Sequence, residues 1–183
     1  MAITTDMIKQ LRAATGAGIM DAKRALEEND GNINKATDFL RQQGLAKAGK
    51  KADRSATEGL VDTYIHAQGR IGAMVEVSCE TDFVARTDDF RALTKDISMQ
   101  VAAMSPRFVD RDEISEESWV ELEREFGDRD AAAKAVVLME QDFIKDPKKS
   151  IGDLITDAIS KLGENTVIRR FARFELGETA SAE

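Results

Sequence analysis

Between Arg70 and Cys79 the apolar residues alternate. Ile71, Ala73, Val75, Val77 and Cys79 point one way, and Gly72, Met74, Glu76 and Ser78 the other. A period of two is the pattern of a half-buried strand. Such a strand needs neighbours on its edges and a cover for its apolar face, because an isolated hairpin is marginal in water. Leu60 to His66 supplies one neighbour, with Ala67-Gln68-Gly69 as the connecting turn. Thr166 to Leu176 supplies another, with Ile168, Ala172, Phe174 and Leu176 alternating against Arg169, Arg173 and Glu175. The cover comes from helical repeats. Phe90, Leu93, Ile97, Val101 and Met104 form one stripe that runs to Pro106, and Trp119, Leu122 and Phe126 recur at spacings of three and four. Ala131 to Ile144 reads as a further helix stopped near Asp146-Pro147. Ser150 with Asp153 forms a capping box for a last helix ending at Gly163. The fold class is α+β, a small antiparallel sheet covered by helices.

The chain ahead of this sheet has a different character. Thr5 is placed to cap a helix in which Ile8 and Leu11 share a face, and Thr15 to Gly18 ends it. A second helix over Ile19 to Asn29 carries Ala22, Ala25 and Leu26 on one stripe. Asn29-Asp30-Gly31-Asn32 is turn chemistry, and Ile33, Ala36 and Leu40 then repeat at helical spacing until Gly44. Ala46 to Ala56 has no period and reads as a linker. Two domains are therefore expected: a three-helix module with its linker over residues 1–54, and the α+β core over 55–183.

Charge narrows the function classes. The net charge of the 183 residues is −8, spread as +3 over residues 1–55, −4 over 56–106 and −7 over 107–146. An acidic middle repels phosphate backbones, so direct nucleic-acid binding is not expected. The basic cluster Lys47, Lys50, Lys51 and Arg54 is short and has no interleaved aromatics on which bases could stack. No apolar run approaches the roughly 18 residues of a membrane span, and no membrane association is expected. The one cysteine and an N-terminus without a signal-peptide core point to a reducing, cytoplasmic setting.

The residues offer little covalent chemistry. Cys79 and His66 are the one nucleophile–base couple available. Cys79, however, falls on the apolar side of its strand, where a lone thiol behaves as a small hydrophobe. One His, one Cys and scattered carboxylates make no zinc site, and Thr15-Gly16-Ala17-Gly18 follows a helix rather than a strand, which rejects a dinucleotide loop. No catalytic residue, metal or cofactor is expected. The junction after Cys79 is more informative. Thr81 is placed as a helix cap and Asp82 in its favourable first turn. Phe83 lies seven residues before Phe90. It either continues the buried stripe or protrudes beside an acidic neighbour as an interface anchor; spacing alone leaves both open.

Ser78 to Arg86, SCETDFVAR, closely resembles the signature of the elongation factor Ts family. Leu11 to Gly44 is similar to that family's N-terminal module, and Glu58 to Phe83 to its central hairpin. Glu140 to Ile151 and Ile168 to Glu178 resemble its closing segments. The resemblance implies a ubiquitin-associated-like module at the N-terminus and a role as guanine nucleotide exchange factor for the GTPase elongation factor Tu. It implies further that Thr81, Asp82, Phe83 and Val84 enter the partner's nucleotide-binding domain and dislodge the Mg²⁺ that bridges GDP to it. Phe83 would be the wedge and Asp82 its polar companion. Arg12, Ile19 and Met20 would dock the N-terminal module on the same GTPase domain.

The chain departs from the family pattern in places. It is short beside members with a duplicated core and a protruding helical hairpin. Asp142 stands where Pro is common, Ser78 where Asn is common, and Gly127 to Lys134 lacks the usual Gly-Lys-Pro opening. The missing half-core and the open sheet edges suggest a homodimer. The competing readings are an adaptor that binds without exchange activity and, more distantly, a hydrolase built on Cys79.

Overall fold

The computed structural model describes residues 2–178. The chain divides into two compact units. One takes the chain up to Ser55 together with Ile155–Asn165; the other takes Ala56–Leu154 together with the chain from Thr166 onward.

The first unit begins with three helices, α1 (Thr5–Thr15), α2 (Ile19–Glu28) and α3 (Ile33–Gly49). The cap of α1 is Thr4 rather than Thr5, its hydroxyl accepting the Met7 N–H at 3.3 Å. Gly16 closes the helix in the left-handed region at φ +68°, and Asn32 caps α3. Leu11, Ala22, Ala25, Leu26 and Ala36 form the core, with Ile8, Ile33 and Leu40 packed against it. Three alanines among five buried residues let the helix axes approach closely. The expected stop at Gly44 does not occur. Gly44 is buried, with room for a Cβ only at 3.6 Å from Thr156, and α3 runs on to Gly49 through a segment read as linker. Helix propensity overrides one glycine when the residues beyond it, Leu45 to Ala48, are good helix formers.

The second unit is built on β1 (Glu58–His66), β2 (Ile71–Cys79) and β5 (Thr166–Glu175), antiparallel in the order β1-β2-β5. The central strand β2 matches the alternation that predicted it: Ala73, Val75, Val77 and Cys79 are all at most 3% exposed. Helix α5 (Asp88–Met104) packs across β1 and β2, seating Phe90, Ile97 and Val101 on that face. The stripe was only partly legible. Met104 is 43% exposed, whereas Thr94, Ser98 and Gln100 are buried polar groups. Each of these has a partner. Thr94 donates to Asp62 Oδ2 at 3.0 Å, Ser98 to the Lys95 carbonyl at 2.9 Å, and Gln100 Nε2 to the Asp142 carbonyl at 3.1 Å.

Two further expectations need correction. The helix expected over Ala131 to Ile144 is shorter: α7 (Arg129–Val136) stops at Val137, and β3 (Asp142–Phe143) and β4 (Asp146–Ser150) form a small hairpin instead. A short 3-10 turn, Leu138–Glu140, follows α7, and Gln141 ends it. Its buried amide donates to the Met104 and Ala135 carbonyls and its own carbonyl accepts the Ile151 N–H, which ties the hairpin to α5 and to the start of α8 (Ile151–Leu162). The Ser150–Asp153 box forms as expected, with reciprocal bonds of 3.0 and 2.9 Å. The second correction concerns β5, where the pairing register slips by one residue opposite Glu76 and Val77. Val77 faces Ile168 but Glu76 faces Arg170, so Arg169 is a bulge and the parity of everything after it reverses. Arg173 reaches the Ala102 carbonyl of α5, while Phe174 and Leu176 are 72% and 66% exposed.

Helix α6 (Glu116–Phe126) and α7 enclose a separate cluster of Trp119, Leu122, Ala132, Ala133 and Val136. The Arg129 guanidinium lies 4.6 Å from the Trp119 ring centroid. Arg111 is held charged well above its ordinary range by the side-chain hydrogen bonds it donates to Glu140 first and Asp130 second. Arg107 grips Glu125 through two bonds of 3.0 and 2.8 Å, which hold that carboxyl below its usual range.

Three outcomes follow. Gly59 sits at φ +148°, and a Cβ there would lie 2.1 Å from the Val77 carbonyl oxygen. Gly59→Ala should lower stability in urea unfolding by about 1–3 kcal/mol from backbone strain alone, with the clash adding more. Gly16→Ala, where a Cβ meets nothing within 4 Å, should cost only about 1–2 kcal/mol. The Glu125 carboxyl is depressed, so its contribution is present above the ordinary glutamate value of about 4.3 and lost as pH falls through the folded value. The destabilisation caused by Arg107→Met should accordingly be seen at neutral pH and fade in acid, measured as melting temperature against pH.

Candidate functional site

The junction between β2 and α5 is a strand end followed by a single helical turn, α4 (Asp82–Ala85). Thr81 is extended at φ −131° and caps that turn, its hydroxyl accepting the Val84 N–H at 3.4 Å. Asp82 occupies the first turn, where the helix end favours a negative charge, and pairs with Arg86 at 2.8 Å. Both side chains are substantially exposed, at 45% and 74%, so the pair is worth at most about 1 kcal/mol and sets the Asp82 rotamer rather than the fold. Ala85 is the buried side of the turn, 4% exposed, and α4 packs on β1 and β2. Phe83 faces outward and is 80% exposed, the most exposed large apolar side chain of the described residues.

This removes the buried-stripe reading of Phe83. The seven-residue spacing to Phe90 would put both rings on one stripe only if a single helix ran between them. Instead the backbone leaves the helix at Arg86, and Thr87 starts a new one with φ −69° and ψ 150°. The interruption resets the phase, so Phe90 is completely buried and Phe83 is not. A Thr followed by Asp88 and Asp89 is a helix-start signal that the sequence carried, and it marks the break.

The Cys79–His66 couple is excluded by register. His66 pairs with Ile71 at one end of the hairpin and Cys79 with Glu58 at the other. Eight residues of strand separate those ends, about 26 Å at 3.3 Å per residue. The buried Cys79 thiol donates to the Thr81 carbonyl at 3.2 Å, and exposed His66 stacks on Tyr64 at 5.9 Å.

The other expected residues lie in the first unit, at the corner between α1 and α2. Ile19 and Met20 open α2 and are 58% and 74% exposed, because the buried stripe of that helix starts only at Ala22. Arg12 is exposed on α1, and its Nε donates to the Ala17 carbonyl at 3.1 Å, bracing the turn. Sequence reasoning missed a third surface. Val61, Ile65, Met74 and Phe174 occupy matching register positions on the side of the sheet away from α5 and are 49–72% exposed. Only the bulge brings Phe174 there, and nothing in local alternation signals a bulge. Among the described residues no helix is long and apolar enough to cross a membrane.

The model of the family described as elongation factor TS matches residues 48–135, which include the whole β1–β2 hairpin and α4. Elongation factor Ts of Carboxydothermus hydrogenoformans is 50% identical over 196 aligned positions, covering 96% of this chain and 90% of that one. That of Thermodesulfovibrio yellowstonii is 46% identical over 198 positions and covers 98% of both chains. That of Geobacter sulfurreducens is 47% identical, covering 97% of this chain and 91% of that one. With near-complete coverage of both chains at this identity, the chain belongs to the elongation factor Ts family, proteins of translation elongation.

Proposed function

We propose that this protein is the guanine nucleotide exchange factor for elongation factor Tu, acting in the cytoplasm without cofactor, metal or covalent step. The observation that carries the reading is Phe83, a large apolar ring 80% exposed on a turn anchored to the core through Ala85. A solvated aromatic is stabilised only when a partner buries it. In this reading Phe83 enters the partner's nucleotide-binding domain with Asp82 beside it, and Thr81 and Val84 complete the contact. Arg12, Ile19 and Met20 give the helical unit its own contact with the same GTPase domain, and residues 55–183 form the exchange core.

Magnitudes bound what the wedge does alone. Burying a Phe side chain contributes about 1.5–3 kcal/mol, which weakens a competing nucleotide only about ten- to a hundredfold. Displacement of Mg²⁺ from the phosphates and the second docking surface supply the rest. Coupling is reciprocal, so the factor favours nucleotide-free partner as strongly as nucleotide opposes it. Exchange is therefore accelerated in both directions.

The protein works as a homodimer in this reading. Supporting it is the uncovered sheet side bearing Val61, Ile65, Met74 and Phe174, which a second copy would bury against its own. On the same side Arg170 pairs with Glu76 at 2.7 Å, so the patch carries both signs of charge, which suits a contact between two like copies.

Release of a fluorescent GDP from elongation factor Tu tests the exchange reading. Wild type should accelerate it strongly and Phe83→Ala should lose at least tenfold of that effect. The same variant should keep its melting temperature, with stability changed by no more than about 0.5 kcal/mol, as for any surface residue. An inactive wild type removes the exchange reading and leaves the adaptor. For the dimer, light scattering at micromolar concentration should give twice the chain mass, and Phe174→Glu should halve it; a monomeric wild type removes that part.

A further inference from the structure

A wedge works only if it meets its partner in one orientation, since an apolar side chain on a loose segment loses its burial gain to the cost of ordering. Here the wedge sits on a single helical turn, and a single turn has no stability of its own in water. Its rigidity comes from its flanks. At the entry the Thr81 carbonyl accepts both the buried Cys79 thiol and the Ala85 N–H, each at 3.2 Å, which ties the turn to the strand end. At the exit the Thr87 hydroxyl donates to the Val84 carbonyl at 2.8 Å and accepts the Phe90 N–H at 3.2 Å. One oxygen thus joins the last residues of α4 to the first turn of α5, whose Phe90 is fully buried in the core. Thr87 itself is exposed and fills no space in that core.

We infer that Thr87, four residues beyond Phe83, is a positioning residue for nucleotide exchange: its hydroxyl fixes the angle at which Phe83 leaves the protein. This rests on the wedge reading of Phe83 proposed above. Thr87 has two separable jobs. Accepting the Phe90 N–H caps α5 and concerns stability; donating to the Val84 carbonyl concerns the wedge. Asp caps a helix as well as Thr does but, ionised, has no proton to donate. Val has the shape of Thr and does neither.

The test is GDP release from the partner GTPase over a concentration series of full-length wild type, Thr87→Asp, Thr87→Val and Thr87→Ser, with melting temperatures of each. Maximal acceleration should fall about fivefold in both Thr87→Asp and Thr87→Val, the factor one hydrogen bond decides, and return in Thr87→Ser. The melting temperature should fall in Thr87→Val but hold in Thr87→Asp. Acceleration lost in Thr87→Val alone would assign the residue to capping and overturn the inference, as would full acceleration in both variants. If wild type and Phe83→Ala differ while all Thr87 variants match wild type, the wedge stands and its positioning by Thr87 does not. An inactive wild type overturns both.

Discussion

The contact between α5 and the central strand β2 is the interaction on which the second unit rests. It takes the apolar side of β2 out of water while leaving both of its edges for β1 and β5. Val75, Val77 and Phe90 are wholly buried there, and removal of each such side chain from water is worth about 1.5–3 kcal/mol. The junction at Cys79 to Thr87 is the direct covalent link between these two partners. Its path is therefore fixed at both ends by buried packing, and a short turn inside it can be orderly without a core of its own.

Polar groups inside the unit specify geometry rather than adding bulk stability. Gln100 and Gln141, both almost completely buried, would each be costly if unpaired. Instead the amide of one meets the carbonyl of the other at 3.3 Å, and their remaining atoms hold the β3–β4 hairpin and the end of α5. A hydrophobic pair of the same size would tolerate a sliding hairpin. The amide pair permits one register only.

How far the sequence could be read depended on whether the signal was local. The alternation of Ile71 to Cys79, the turn at Ala67 to Gly69 and the Ser150–Asp153 box are local, and each is where it was expected. The helix break at Thr87 was also local, but it competed with the simpler reading that seven residues make two turns of one helix. The continuation of α3 past Gly44 was local too, resting on the helix propensity of Leu45 to Ala48. Two features were not local: the early end of α7 at Val137 and the bulge at Arg169. Gln141 looks helical until its amide is needed by the Met104 carbonyl, 37 residues away in sequence. The family resemblance implied Phe83 as a contact residue, while its bare spacing also allowed a core position; its exposure removes the core position.

The bulge at Arg169 has a consequence for how such a strand can change over time. Ile168 lies on the helix-facing side and Phe174 on the opposite one, so a single strand feeds two hydrophobic surfaces in series. Substitutions can tune either surface while leaving the other alone. Loss of Arg169 itself would only regularise the ladder, with Ile168 still opposite Val77 and Arg170 opposite Glu76. Loss of one residue beyond it, Phe171 or Ala172, would move every later side chain across the sheet at a stroke, pressing Phe174 toward α5 and turning Arg173 outward. In this strand, insertion and deletion are the mutations with the largest reach, and chain length is under tighter constraint than residue identity.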